Sequence, residues 1–407
     1  MGRTARLLRR RISGRQLGEL LAMLRYLLYR RAGRIVGGRR LADLPARFVD
    51  SLLSTEGTRR SVVAHLDEVH QLDDACIATY QLPDDVPASF HRKKAFDPRY
   101  LFRMNDVVVS PFSGMTWLPS DGRVIGDSVG SLYRTIGWGN VAHEILMPVM
   151  DIDDGGPLVA SVSRNPAHWL FESLPNLLVA LQHVPDARIL LPGDPRRRPD
   201  FVLESLRRAL GPQHDASLIR FASGPIRAKD VVLVQMPRDP FFVHPGSLKL
   251  LRTTFLGPGQ APVSTASRMR LYVSRSRTTK RRLTNELRVH DMVAAAGFQV
   301  VHLEDLDFGE RITMFRAAEI VMGPHGAGLA GIIWCDAGSR LIELLPHEWY
   351  NGYYARLAVS LGLRYDWLQC HPDRGGDNEL DLLQLERLLE SLPADTSRSP
   401  HGPRSRR

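Results

Sequence analysis

Between about residue 268 and residue 368, short apolar runs alternate with helical patterns, and this alternation constrains the fold more than any other feature of the chain. Strands are predicted over 270–274, 299–303, 319–322, 340–345 and 364–368. Between them fall helices over 284–296, 309–318 and 353–361, and a short helix that ends near Cys335. The 284–296 helix has Thr284 or Asn285 as its cap, Glu286 in its first turn and Gly297 as its stop. Parallel neighbours need a long crossover, and a helix supplies it, so the pattern predicts a parallel, doubly wound sheet.

Upstream, residues 41–160 read as short mixed elements separated by turn signals such as Pro83-Asp84-Asp85 and Ser120-Asp121-Gly122. Apolar runs at 107–109 and 124–125 are predicted strands, and 158–162 a buried one. Asn165-Pro166 opens a helix, because Asn caps well and Pro suits the first helical position. That helix runs through His168, Trp169 and Glu172 and is kinked or interrupted at Pro175. A strand over 188–191, a helix over 200–210 stopped by Gly211 and a strand over 231–235 complete a second α/β unit. The expected organisation is a basic arm (1–40), an N-terminal domain (41–245), a Rossmann-like C-terminal domain (246–378), a closing helix (379–393) and a disordered basic tail (394–407).

The net charge of +10 invites a nucleic-acid reading until its distribution is counted. Residues 1–40 contribute +11 and 394–407 contribute +3, so 41–393 sum to −4. A body that coats phosphate backbones would itself be basic, so a nucleic-acid-binding core is not expected. In the arm, Leu17, Leu20, Leu21, Leu24 and Leu28 form one helical stripe flanked by arginines. That suits a helix lying on an anionic membrane surface, or a helix packed on its own domain with a solvated arm. An organelle transit peptide is a third reading; a spanning segment or signal peptide is not expected. Cys76, Cys335 and Cys370 are scattered and form no C-x-x-C, so neither structural zinc nor a disulfide framework is indicated. A reducing, cytoplasmic compartment follows.

Four clusters could carry chemistry. Gly323-Pro324-His325-Gly326-Ala327-Gly328-Leu329 lies between a predicted strand and a helix, at the carboxyl edge where parallel sheets bind ligands. Its glycines admit close approach of a phosphate or sugar, yet it is neither G-x-G-x-x-G nor a P-loop. Ser274-Arg275, then Lys280-Arg281-Arg282 and Asn285-Glu286, place guanidinium groups at the same edge, where they match phosphate oxygens. His168 and Glu172 stand one turn apart, and either could be a general base. Glu343 emerges at a strand's carboxyl end, placed to hold ribose hydroxyls or to stand as an edge charge. Asp151-x-Asp153 reads as turn residues before Gly155-Gly156, with a metal-binding acidic pair as the alternative; no metal is expected.

Taken together these residues resemble glycosyltransferase family 61. The segment His168-Trp169-Leu170-Phe171-Glu172-Ser173-Leu174-Pro175 is similar to one family block. Tyr272-Val273-Ser274-Arg275 with Arg281-Arg282 and Asn285-Glu286 is similar to a second. The Gly323–Leu329 loop followed by Ile342-Glu343 and Pro346 is similar to a third. The sequence departs from the family pattern at Ala330-Gly331 and in carrying Glu172 where Asp is usual. The resemblance implies a GT-B architecture of two Rossmann-like domains facing a cleft, and inverting, metal-independent transfer from a nucleotide sugar, usually UDP-linked. It implies Arg275 and Arg281 at the diphosphate, with Ser274, Asn285, Gly323, His325, Gly326, Ala327, Gly328 and Glu343 around the nucleotide. Glu172 or His168 would be the base on the acceptor side. Bacterial-type members serve capsule or exopolysaccharide assembly, with glycan or lipid-linked acceptors. A catalytically silent nucleotide-sugar-binding partner in such an assembly is the alternative.

Overall fold

The computed structural model describes residues 48–49, 60–65, 100–120, 122–128, 142–151, 156–194, 200–211, 218–236, 243–259, 268–278, 281–347, 352–374 and 377–393. The expected N-terminal helix, the basic tail, Cys76, Asp153 and Lys280 lie outside them. The chain forms two compact units. The first takes its described residues from Met1–Asp67, Pro98–Arg164 and Glu172–Pro240; the second takes them from Asn165–Phe171 and Phe241–Arg407.

In the first unit, β1 (Leu158–Val159) precedes a helical run whose residues 165–171 belong to the second unit and whose remainder belongs to the first. Asn165 caps it as expected: its side-chain oxygen accepts from the Ala167 N–H at 2.9 Å and the His168 N–H at 3.4 Å. The run is helical over Pro166–His168, widens to a π turn over Trp169–Ser173 and returns to an α-helix, α1 (Leu174–His183). The widening has a cause. Pro175 has no N–H and its ring would crowd the carbonyl four residues back, so the turn before it opens. Then follow β2 (Arg188–Pro192), α2 (Asp200–Leu210), β3 (Ile219–Ala222) and β4 (Val231–Val234). The order β3-β2-β1-β4 is parallel throughout.

The expectation of a complete doubly wound domain over 41–245 needs correction. Among the described residues of this sheet only those four strands are parallel to one another; β4 also pairs antiparallel with Tyr100–Met104, which pairs antiparallel with Arg60–His65. A second six-stranded sheet, mixed in direction, contains Val107–Val109, Thr116–Trp117, Val124–Ile125 and Ile226–Ala228. The reason is turn chemistry. Gly114, at φ +76°, closes one reversal with its N–H on the Ser110 carbonyl (3.0 Å), and Leu118 and Arg123 close the next (2.9 Å). Strands this close in sequence have no room for a crossover helix and must pair antiparallel.

The second unit opens with α3 (Pro245–Leu256), capped by the His244 Nδ1 on the Gly246 N–H (3.1 Å), a helix the sequence reading passed over. The predicted alternation then appears almost element for element. The strands are β5 (Met269–Val273), β6 (Phe298–Val301), β7 (Ala318–Pro324), β8 (Arg340–Leu345) and β9 (Arg364–Pro372). The helices are α4 (Glu286–Ala295), α5 (Phe308–Ala317), a 3₁₀ helix over Ala327–Trp334 and α6 (Tyr353–Ser360). Two differences stand out: β7 runs through Gly323-Pro324, which were expected in a loop, and residues 378–380 form a short strand, β10 (Asn378–Leu380), so the closing helix α7 starts later (Leu382–Ser391). The order is β6-β5-β7-β8-β9-β10, parallel except for β10. Winding reverses between β5 and β7, and in sheets of this order the ligand crevice lies outside the carboxyl ends of those two strands.

Both faces of this sheet are covered. Tyr272, Ile320, Met322, Ile342 and Leu344 are at most 5% exposed and pack with Val289 and Leu385 from the helices. Gly331 touches the Phe315 ring so closely that no side chain fits there. Cys335 and Cys370 are buried, and burial pushes each thiol up to about 12. No helix among the described residues is long and apolar enough to cross a membrane.

Two outcomes follow. At pH 8 both thiols stay protonated, so alkylation of the folded protein followed by peptide mass spectrometry should leave Cys335 and Cys370 unmodified, and rapid labelling of either would contradict the packing. Asp307 and Glu310 form a reciprocal cap at the start of α5, with bonds of 2.7 and 2.8 Å. Asp307→Ala should lower unfolding free energy by about 1 kcal/mol in a urea titration.

Candidate functional site

The carboxyl ends of β5 and β7 approach so closely that a side chain at Gly323 would stand 2.7 Å from the Val273 carbonyl oxygen. Beyond β7 the chain turns at His325-Gly326 into the 3₁₀ helix, and beyond β5 it turns at Ser274-Arg275. The two turns therefore meet at the switch point. The Arg275 guanidinium lies directly against the Gly326 Cα, where any Cβ would collide with it. A side chain at 326 would therefore displace the guanidinium from this position, while the extended backbone there does not itself call for glycine.

His325 is 7% exposed and held on three sides. Its N–H donates to the Leu344 carbonyl at 2.9 Å, its Nδ1 meets the Glu343 carboxylate, and its ring stands edge-on to Tyr354 at 5.4 Å. Glu343 is 1% exposed, and its other oxygen accepts the Tyr365 hydroxyl at 2.7 Å. A carboxylate accepts only, so the Nδ1 carries the proton, and the Nε2 is an acceptor in the neutral ring and a donor in the charged one. Glu343 thus sits behind His325 with both oxygens engaged.

Tyr354 links the loop to α6. Its hydroxyl donates to the Gly326 carbonyl at 2.6 Å, and burial, with Glu343 adding to it, drives its pKa far up. The tyrosine therefore stays neutral. Arg275 and Arg281 both act on it electrostatically, and each of them is pushed below the usual arginine value, chiefly by desolvation. The Arg281 charge lowers Arg275 further; Arg275 is half-buried, whereas Arg281 is exposed. Arg281 adopts φ +53°, a left-handed conformation uncommon outside glycine. The segment that follows it is pinned: the Asn378 N–H donates to the Arg282 carbonyl (3.1 Å) and the Thr284 N–H to the Asn378 carbonyl (2.8 Å). The Asn378 side-chain oxygen accepts from the His347 N–H at 3.1 Å, so one residue of β10 joins this loop to the segment after β8.

Two of the expected nucleotide residues turn inward. Ser274 Oγ is shared among the Glu286 carboxylate, the Ser276 hydroxyl and the His290 Nε2, each at 3.1 Å. Asn285 uses its side-chain amide on the Leu380 backbone, donating at 2.8 Å and accepting at 3.2 Å, and so ties α4 to β10. Ala327 and Gly328 begin the 3₁₀ helix, with Gly328 packed against Val273.

The turn bearing His168 belongs to the second unit, where Pro166–His168 packs on the 3₁₀ helix and Phe171 on Tyr353 (6.2 Å). Glu172 belongs to the first unit and is 7% exposed, beside the buried Ser173 and Asn176. Asp151 ends a two-residue strand and is exposed. Among the described residues no three His, Cys, Asp or Glu side chains cluster as a metal site.

Sequence reasoning missed Tyr354, Tyr365, His290 and Asn378, and gave Glu286 no role beyond its first-turn position. One signal was present: Glu343 interrupts the run Leu341-Ile342-Glu343-Leu344-Leu345, and a charge inside a buried strand must be paired.

Residues 167–342 match the family model for Glycosyltransferase 61. The match starts on the helical run of His168 and ends one residue before Glu343, so it spans both turns of the switch point. Comparison with curated proteins gives no match. The domain identifies the protein as a glycosyltransferase.

Gly326→Ala should displace the Arg275 guanidinium and reduce turnover at least tenfold while shifting the melting temperature by only a few degrees, as for other overpacking changes of about 1–3 kcal/mol. Parallel activity and thermal-melt measurements check this; a collapsed melting temperature with normal specific activity would assign the glycine to folding alone.

Proposed function

We propose that this glycosyltransferase transfers a sugar, with inversion and without a metal, from a UDP-linked donor to a glycan or lipid-linked acceptor in surface polysaccharide synthesis. The observation that carries the donor part is the convergence of Arg275 and Arg281 at the switch point of β5 and β7, with His325 and the neutral Tyr354 beside them. The half-buried Arg275 and the exposed Arg281 carry like charge near one another, and a diphosphate relieves their repulsion. As the bond to the anomeric carbon breaks, negative charge builds on the departing diphosphate, and fixed cations stabilise it most at that moment. The cations thereby do the work a divalent ion does in metal-dependent transferases.

The remainder of the reaction needs one base. It removes the proton from the acceptor hydroxyl as that oxygen attacks the anomeric carbon from the face opposite the diphosphate, which inverts the configuration. His168 and Glu172 are the two candidates. A GT-B arrangement, with the nucleotide on the second unit and the acceptor on the first, is the architecture this reading adopts. The +11 arm over residues 1–40 supports a peripheral site on the inner membrane face, where lipid-linked acceptors are found.

Arg275→Ala should weaken UDP binding by about tenfold to a hundredfold, the range of a lost charge-assisted pair, with the fold retained. Calorimetry giving an unchanged UDP affinity would remove the diphosphate role. Transfer activity should survive EDTA; abolition by chelator with rescue by manganese would return attention to Asp151 and Asp153. Of Glu172→Gln and His168→Gln, only the substitution of the base should abolish turnover while leaving UDP affinity intact.

A further inference from the structure

Behind the two arginines lies a buried polar cluster that the reaction above does not use. Glu286, 3% exposed in the first turn of α4, points a single oxygen, Oε1, at three donors. These are the Arg275 N–H at 2.7 Å, the Ser274 hydroxyl at 3.1 Å and the Tyr272 hydroxyl at 3.3 Å. His290, one turn along the same helix, brings its Nε2 to 3.1 Å from Ser274 Oγ and 3.6 Å from Glu286 Oε1. The second carboxylate oxygen, Oε2, is buried with no hydrogen-bond partner among the described residues. Such an arrangement is costly unless its charge serves something nearby. The nearest need is plain. Arg275 is desolvated and repelled by Arg281, and Glu286 is one of the groups that favour its charged form.

We infer that Glu286 is the positioning residue for Arg275: it fixes the backbone of the β5 turn so that the guanidinium crosses Gly326. Ser274, Tyr272 and His290 hold Glu286 in place. The inference rests on the nucleotide reading above and deepens it. Glu286 touches neither donor nor acceptor; it acts through Arg275. Its loss therefore raises the KM for the nucleotide sugar and leaves the KM for the acceptor unchanged.

The test is a thermodynamic cycle read by UDP calorimetry on the full chain: wild type, Glu286→Gln, Arg275→Ala and the double variant. Glu286→Gln keeps the shape of the side chain and removes its charge, and UDP affinity should fall about tenfold. In the Arg275→Ala background the same change should have no further effect, because the group it acts through is gone. Equal losses in both backgrounds would assign Glu286 to general folding and overturn the inference, as would a wild-type affinity for Glu286→Gln. If Arg275→Ala itself binds UDP normally, the nucleotide reading and this inference fall together; if only the coupling is absent, this inference falls alone. Tyr272→Phe, which removes one donor to Glu286 and keeps the ring, guards against a Glu286 variant that does not fold. Its smaller loss, about twofold to threefold, should vanish in the same background, and a loss that persists there overturns the inference.

Discussion

Glu343 sits in β8, flanked on both sides by strands and covered on both faces, and the candidate site is arranged around the need to satisfy it. An ionised carboxylate in such a place requires bonds to both oxygens. His325 supplies one and Tyr365 the other. Because His325 follows β7 directly, answering that demand fixes the loop between β7 and the 3₁₀ helix. With the loop fixed, the Gly326 carbonyl meets Tyr354 and the Gly326 Cα receives the Arg275 guanidinium. The geometry of the loop is thus set by one buried hydrogen-bonded pair, His325 and Glu343. It is also why Glu343 supports the site from behind and leaves any ribose contact to other groups.

A similar demand recurs on the other side of the switch point. Glu286 is buried at the head of α4 and gathers the hydroxyls of Tyr272 and Ser274 and the N–H of Arg275. The two carboxylates stand behind the two turns that meet at the crevice. Each holds a positively charged or chargeable side chain in front of it, Arg275 in one case and His325 in the other. In the proposed reaction a phosphate approaching the crevice would meet donors whose directions are already set, with little ordering left to be done on binding.

The regular part of the fold was legible in the sequence because local signals agreed with one another. From β5 to β9 the apolar runs, the caps and the stops all point to the same alternation, and 340–345 and 200–210 are recovered without error. The helix α3 also carried its signals, a Pro at the first helical position and Gly257 as a stop at φ +82°, but no catalytic motif drew attention to it. The mixed strands of the first unit were less legible, since two- and three-residue strands leave no periodicity to read. In the site, the arginines and the glycine loop could be found because their chemistry is local. The inward turn of Ser274 and Asn285 could not, because it depends on partners in space. Asn285 is satisfied by Leu380, some ninety-five residues on, through a strand too short to predict.

That short strand bears on the last question, why Arg281 stays beside Arg275 at all. Left to itself, an exposed arginine in a loop would swing into water and avoid both its like-charged neighbour and a left-handed backbone. The backbone contacts from Asn378 limit that freedom on its C-terminal side, at Arg282 and Thr284. β10 is in turn paired with β9, with Cys370 opposite Leu380, so the restraint is transmitted from the sheet itself. Separate parts of the scaffold thus restrain the two arginines: Arg275 through its N–H on Glu286 of α4, and Arg281 through the contacts of β10 with the residues that follow it. In the proposed reaction a diphosphate between them would be held by both cations, most strongly when the leaving group carries its full charge.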